Sequence, residues 1–497
     1  MKKLTILTLI LIVCINMLNA QSRKRALRGL WIATVDNIDW PSEKGLSVER
    51  QQQEMTDMLD RMQACHMNTV VFQIRPTADA FYKSKYEPSS LWITGVQGKE
   101  IGYDPLQFTI DECNKRGMYL HVWLNPYRIS IDTTQYNEYA DSHIIHKHPE
   151  WVVTYGKAKY FNPGLDEVRS FVCEVVKDIV RNYDIDAIHM DDYFYPYKIA
   201  GEEFPDSVTY AQHPRGFVEK ADWRRNNVNL IIKEINQTIK SIKPWVEFGI
   251  SPFAVWRNKS EDPRGSNTKA MSNYDGLYAD ILLWQEQGWI DYVLPQLYFN
   301  IGYTIADYAI LADWWSTYNY GATIYAGLAP YKVSKTAKQK EWHSSKELIR
   351  QIQRNAADPT IKGEIYFNAK TFFSPSVNLE KRLPKNEYKH LSIAPENNRI
   401  QRIEPMNPID PKIEMVSTTK IKLTWARGLH AKRFVIYKFE KNKPVNLDNP
   451  QYIQAVTALT DIELPIKGKA DLSKYQYAIA SLSPSHSESN IVLFDYK

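Results

Sequence analysis

Two hydrophobic rhythms alternate along the first four hundred residues. Short apolar and aromatic runs occupy 28–37, 69–76, 119–127, 186–194, 247–253, 292–299, 322–330 and 363–373. Between them lie stretches whose apolar positions recur at helical spacing, near 49–64, 105–116, 166–181, 224–243, 275–288, 304–316 and 344–357. Val168, Val172, Val175, Val176 and Ile179, for example, form one stripe along a helix. Near-continuous apolar strands separated by amphipathic helices predict a parallel sheet covered on both faces. Eight such units favour closure into an α/β (β/α)₈ TIM barrel over an open doubly wound sheet. No Gly-x-Gly-x-x-Gly turn follows the first strand and no Walker-type loop is present, so nucleotide binding has no support.

The rhythm stops after residue 385. A polar stretch over 386–410, with Pro395, Pro405 and Pro408, reads as a linker. Beyond it, short strands at 420–426, 433–440, 453–459, 475–482 and 491–496 predict an all-β unit over 411–497 resembling a fibronectin type III module. Trp425 and Tyr437 are its expected sandwich-core residues. The barrel is assigned to 21–385.

The N-terminus has a separate chemistry. Lys2 and Lys3 precede an apolar run over 4–15 and then Leu18-Asn19-Ala20, which predicts a secretory signal over 1–20 cleaved after Ala20. The expected location is periplasmic or secreted. No later stretch is long and apolar enough to predict a membrane-spanning segment once the signal is gone. Cys65, Cys113 and Cys173 are too few and too scattered for a disulfide framework. The formal charge of +5 falls to about +3 when Lys2 and Lys3 are subtracted, and no basic stripe suggests nucleic acid.

Candidate chemistry concentrates where the predicted strands end, the rim at which barrel active sites form. The fourth strand runs Ala187-Ile188-His189-Met190 and ends in Asp191, Asp192 and Tyr193. Alternation puts His189 and Asp191 on the inward side and Ile188 and Met190 against the helices. Other strand ends deliver Arg75, then Trp123, Asn125 and Tyr127, then Trp256, Arg257 and Asn258, then Gln296 and Tyr298, and finally Asn368. Aromatic rings beside amides, carboxylates and guanidinium groups suit a sugar, whose CH face stacks on rings while polar groups hold its hydroxyls. Glycoside hydrolysis needs two carboxyl functions. Asp191 is the first candidate for nucleophile or oriented base, Asp192 for acid or supporting partner, and Asp79 and Asp262 are loop-borne alternatives. A single histidine beside two acids does not make a metal site, and neither His-Glu-x-x-His nor Gly-x-Ser-x-Gly occurs; no metal or cofactor is expected.

Several motifs together carry a resemblance: Arg28-Gly29-Leu30-Trp31, Gln73-x-Arg75-Pro76, Trp123-Leu124-Asn125-Pro126-Tyr127, His189-Met190-Asp191-Asp192-Tyr193-Phe194-Tyr195-Pro196, Gly249-Ile250-Ser251-Pro252-Phe253 and Asp291-Tyr292-x-x-Pro295-Gln296-x-Tyr298. In this order, over about residues 25–385, the chain resembles the glycosyl hydrolase-like family ten. That resemblance implies a secreted or envelope-associated sugar-hydrolysing barrel with the Asp191/Asp192 motif in its site, together with Asn125, Arg75 and the 256–258 loop. It also implies a peptidoglycan glycan strand, or a related amino-sugar polysaccharide, as partner. The rival expectation is a noncatalytic carbohydrate-binding or envelope scaffold that keeps the barrel groove.

Overall fold

A computed structural model describes residues 23–134 and 136–496; the signal segment 1–20 lies outside them. Strands β1 (Leu27–Ile32), β2 (Thr69–Arg75) and β3 (Tyr119–Leu124) are followed by a small antiparallel hairpin, β4 (Val152–Tyr155) and β5 (Ala158–Phe161). Then come β6 (Ala187–Met190), β7 (Glu247–Ile250), β8 (Tyr292–Val293), β9 (Thr323–Leu328) and β10 (Ile361–Tyr366). All strands but the hairpin pair in parallel, in the order β1-β2-β3-β6-β7-β8-β9-β10, and β10 closes on β1. The eight expected strands are therefore those of a closed barrel.

Most are shorter than their apolar runs. The run 28–37 leaves the sheet at Ile32, and 292–299 contributes Tyr292 and Val293 to the ladder before Pro295 interrupts it, with isolated bridges resuming at Gln296. The excess residues at the strand ends build the loops of the rim. The helix expected over 275–288 is two short pieces, Asn273–Gly276 and Ile281–Glu286. Helix Asp166–Asn182 buries the valine stripe, each side chain contributing about 1.5 kcal/mol by leaving water.

Alternation sorts the side chains as a barrel requires. Ile188 and Met190 of β6 join the layer beneath the helices, while Leu27, Trp31, Trp123, Ala187, Tyr292 and Tyr325 fill the interior. His189 is registered between Trp123 on β3 and Gly249 on β7, and Gly249 in turn pairs with Tyr292 on β8. A Cβ at position 249 would sit 1.9 Å from the Tyr292 ring, so glycine there lets that ring cross the interior to His189.

The C-terminal unit is two four-stranded sheets. One has the order β15-β12-β11-β18, from β11 (Ile409–Ser417), β12 (Lys420–Ala426), β15 (Asp461–Pro465) and β18 (Asp495–Tyr496). The other has the order β14-β13-β16-β17, from β13 (Arg433–Glu440), β14 (Ile453–Thr457), β16 (Tyr475–Leu482) and β17 (Val492–Leu493). Trp425, Phe434 and Ile436 pack in its core. Tyr437 does not: it lies on the opposite face of β13, in a cluster with Val435 and Ile393, because that sheet is buried on both sides.

The second side is the barrel floor. Residues of the stretch expected to be a linker are bonded across it: Ile393 pairs with Arg25, Asn397 donates to Glu247 at 2.9 Å, and Arg399 donates to the Ile290 carbonyl at 3.0 Å. Arg433 on β13 forks onto Asp186, just before β6, at 2.8 and 2.7 Å. Burial alone would raise the Asp186 pKa, but Arg433 and Lys432 hold it well below the carboxylate range. Among the described residues no helix is long and apolar enough to cross a membrane.

Candidate active site

The acidic pair stands where β6 lets go of the sheet. Asp191 and Asp192 follow Met190 directly, and both are buried, at 6 % and 1 % exposure. The next strand ends supply what holds them. Gln73 on β2 accepts from the backbone N–H groups of Thr34 and Val35 at 2.9 and 3.0 Å, which fixes its amide so that Nε2 points to Asn125 Oδ1 at 2.8 Å. Arg128 Nη2 donates to the same oxygen at 2.8 Å. With its carbonyl doubly engaged, Asn125 turns its NH₂ to Asp191, 2.8 Å from Oδ1 and 3.0 Å from Oδ2. A directed chain of hydrogen bonds thus runs from the β1 end through β2 and β3 to Asp191.

Asp192 is held from the other side. Tyr197 donates its hydroxyl to Oδ2, and Gln296, beyond β8, donates Nε2 to Oδ1 at 3.3 Å while also reaching the Ser251 carbonyl at 3.0 Å. Burial raises both carboxyl pKa values; the Arg128 charge and Asn125 oppose this at Asp191, whereas the Asp191 charge adds to it at Asp192. Two adjacent buried acids that cannot both ionise cheaply hold one proton between them at a pH where exposed carboxylates have lost theirs.

Above the pair opens a cavity of about 640 Å³ whose wall includes Trp31, Trp123, Arg128, Asp191, Tyr193, Tyr197, Ser251, Gln296, Tyr298, Tyr331 and Lys332. Among the described residues Asp191 is the one carboxylate on that wall. The indole N–H of Trp123 and the hydroxyl of Ser251 are buried there without a hydrogen-bond partner, which a bound polar ligand would provide. His189 sits in the barrel interior against this wall. Trp31 Nε1 donates to its Nε2 at 3.4 Å, and its Nδ1 meets the Tyr292 hydroxyl at 2.9 Å. Burial drives the His189 pKa far down, so the ring is neutral and serves to orient Trp31.

Of the residues singled out from the sequence, Asp191, Trp123, Tyr193, Gln296 and Tyr298 meet at the cavity, with Asn125, Asp192 and His189 directly behind. The others lie elsewhere. Arg75 is turned to Glu87, with Nε 2.8 Å from Oε2, and also donates to the Pro126 carbonyl at 3.1 Å; it fixes the 125–128 turn. Asp79 accepts from Thr77, Leu91 and Gln97 inside its own loop. Asp262 pairs with Arg264 at 3.3 Å. Arg257 forks onto Asp275, Asn258 holds Ala270 in place, and Trp256 donates to Asp280. Asn368 caps the helix Ala369–Phe372, and Tyr127 is buried away from the wall. These contacts shape the rim loops rather than the cavity surface. Trp31, Arg128, Ser251, Tyr197, Tyr331 and Lys332 were not singled out as site residues. Trp31 and Ser251 lie inside motifs that carry the family resemblance and Arg128 directly follows one, whereas Tyr197, Tyr331 and Lys332 reach the wall from irregular loops that carry no periodic signal. Among the described residues no three histidine, cysteine or acidic side chains converge to hold a metal.

A family model described as glycosyl hydrolase-like 10 matches residues 26–344. The chain belongs to that family. It is 48 % identical, over 396 residues, to glycosyl hydrolase YngK of Bacillus subtilis, covering 79 % of this chain and 77 % of that one. Glycosyl hydrolase DigH of Escherichia coli is 40 % identical over 370 residues, covering 70 % of this chain and 84 % of DigH. Among solved structures, the glycoside hydrolase domain of PgaB from Bordetella bronchiseptica aligns with a TM-score of 0.48 at 12 % identity, over 74 % of this chain and all of that domain. The matched family segment contains every residue of the Gln73–Asn125–Asp191 chain and the Asp192 pocket.

Proposed function

We propose that this protein is a periplasmic or secreted glycoside hydrolase that cleaves a bacterial wall glycan or a related amino-sugar polymer, with Asp191 and Asp192 as its acidic unit. The observation that carries this reading is a buried pair of adjacent carboxyl groups with one member on the wall of an aromatic-lined cavity. The proton that burial and the Asp191 charge keep on Asp192 goes to the departing glycosidic oxygen, while Asp191, favoured as the ionised member by Asn125 and Arg128, meets the sugar at the cavity wall. Among the described residues only Asp191 brings a carboxylate to the wall, so the attack on the anomeric carbon falls to the substrate itself where the sugar carries a 2-acetamido group; its carbonyl oxygen bonds to that carbon as the protonated glycosidic oxygen leaves, and water then opens the cyclic intermediate. Trp31, Trp123 and Tyr298 offer ring surface to the sugar, and the free Trp123 N–H and Ser251 hydroxyl offer hydrogen bonds. The C-terminal unit is read as a fibronectin type III-like module that braces the barrel rather than acting on substrate.

Release of reducing ends from peptide-free peptidoglycan by the purified mature chain tests the proposal. Asp191→Asn should lower kcat by at least about 10³-fold while leaving the circular-dichroism spectrum unchanged. If the parent chain binds such glycans yet cleaves none of a broad polysaccharide panel, the barrel is a binding scaffold and the hydrolase reading is wrong.

A further inference from the structure

Lys332 closes one side of the cavity, on the short turn Pro330–Lys332 after β9. Its ammonium donates to the Tyr298 carbonyl and lies 5.3 Å from the centre of the Phe299 ring. An ammonium has three N–H donors, and this one uses a single protein acceptor. Burial lowers the Lys332 pKa, and no neighbouring carboxylate offsets that effect. The contrast with Arg128, the other cation on the wall, is informative. Arg128 is tied to Asn125 and the Pro76 carbonyl, and its charge acts on Asp191. Lys332 is tied to the Tyr298 carbonyl alone and no carboxylate acts on it. The one wall carboxylate is already bonded to Asn125, while the Trp123 N–H on the same wall also waits for an acceptor.

Partial removal of an ammonium from water without a counter-charge is costly, and the cost is recovered when a ligand brings the missing anion. We propose that Lys332 is a specificity-determining residue that binds a carboxylate carried by the sugar chain, so that the cavity prefers glycans containing an acidic sugar over neutral ones. This rests on the reading of the cavity as a glycan site, and it adds which glycans that site selects. A compact point charge with rotatable donors suits a carboxylate on a flexible substituent, which need not present a fixed plane.

The test uses the full mature chain carrying Asp191→Asn, titrated calorimetrically with three oligosaccharides of equal length. One alternates N-acetylglucosamine with N-acetylmuramic acid, one alternates it with glucuronic acid, and one is a neutral chito-oligosaccharide. At least one acidic probe should bind about tenfold more tightly than the neutral one, with an advantage that shrinks as salt is added. Adding Lys332→Met should abolish that preference, and Lys332→Arg should retain most of it. The muramic and glucuronic probes distinguish an ether-linked acid from a ring carboxylate, and a preference for either supports the proposal. Equal binding of acidic and neutral probes, a preference that survives Lys332→Met, or no binding of any probe overturns it. Failure of the unsubstituted chain to cleave any glycan would count against hydrolysis alone, since the binding preference is measured without turnover.

Discussion

The side chains that aim the acidic pair are fixed by a chain of mutual hydrogen bonds. Thr34 and Val35 determine which way Gln73 faces, Gln73 and Arg128 determine which way Asn125 faces, and Asn125 is left with its donors toward Asp191. Each amide has one orientation that satisfies its neighbours, so the carboxylate is preorganised before substrate arrives. Asp192 has the opposite character, because burial and the Asp191 charge both disfavour its ionised form. In the folded chain it therefore keeps a proton that the unfolded chain has released. The stability this provides is complete below the unfolded pKa of about 3.9 and declines as pH rises toward the raised folded value, near neutrality. Asp192→Asn removes that ionisation. Relative to the parent, the variant should gain about 2–3 kcal/mol in urea unfolding between pH 5 and pH 8; a difference that stays flat with pH would contradict this account.

Among the elements, the β2 end and the turn after β3 depend on one buried ion pair. Arg75 is the last residue of β2, and with its partner Glu87 it is almost wholly withdrawn from solvent. From there it also donates to the carbonyls of Asn125 and Pro126, so the turn that aims Asn125 is held by the barrel strand that precedes β3. Breaking one side of such a pair leaves the other charge buried alone. Glu87→Gln should cost about 3 kcal/mol in chemical denaturation. It should also lower kcat more than it raises KM, since what moves is the Asn125 turn and not a sugar contact. An unchanged midpoint would mean that Arg75 finds another acceptor and the turn is held otherwise.

For the whole molecule, the decisive feature is that the C-terminal sheets sit on the barrel floor, at the end opposite the cavity. Arg433 reaches Asp186 and the Met118 carbonyl and stacks 4.0 Å over the Tyr119 ring, so one guanidinium joins β13 to the starts of β3 and β6. The 386–410 stretch is sealed beneath it. The two units should accordingly unfold in a single calorimetric transition. Arg433→Met, which leaves Asp186 to Lys432 and the Leu120 N–H, should lower the stability by about 2–3 kcal/mol and split the transition in two. A parent that already melts in two steps would show that the interface adds little. Because the cavity opens at the other end, Arg433→Met should leave KM for any cleaved glycan close to that of the parent.

Strand and helix order, closure and the acidic strand end were legible in the sequence because they rest on local periodicity. A period of two puts His189 opposite Ile188 and Met190 whatever the rest of the chain does, and eight strand–helix repeats leave few ways to cover both faces of a sheet. The motifs around Asn125, Asp191 and Gln296 were visible for the same reason, as polar residues placed where apolar strands stop. Long-range pairing decided the rest. Nothing near Arg75 in sequence shows that Glu87 will claim it, nothing near Asp79 or Asp262 shows that their own loops will satisfy them, and Lys332 is one lysine among many until the cavity forms around it. Tyr437 and the proline-rich 386–410 stretch read as sandwich core and linker because sequence pattern reports that a surface is buried, not what buries it. The pattern of the chain thus determined a barrel with acids at one strand end. Which of its charges remained unpaired, and therefore available to a ligand, was decided only when distant loops met.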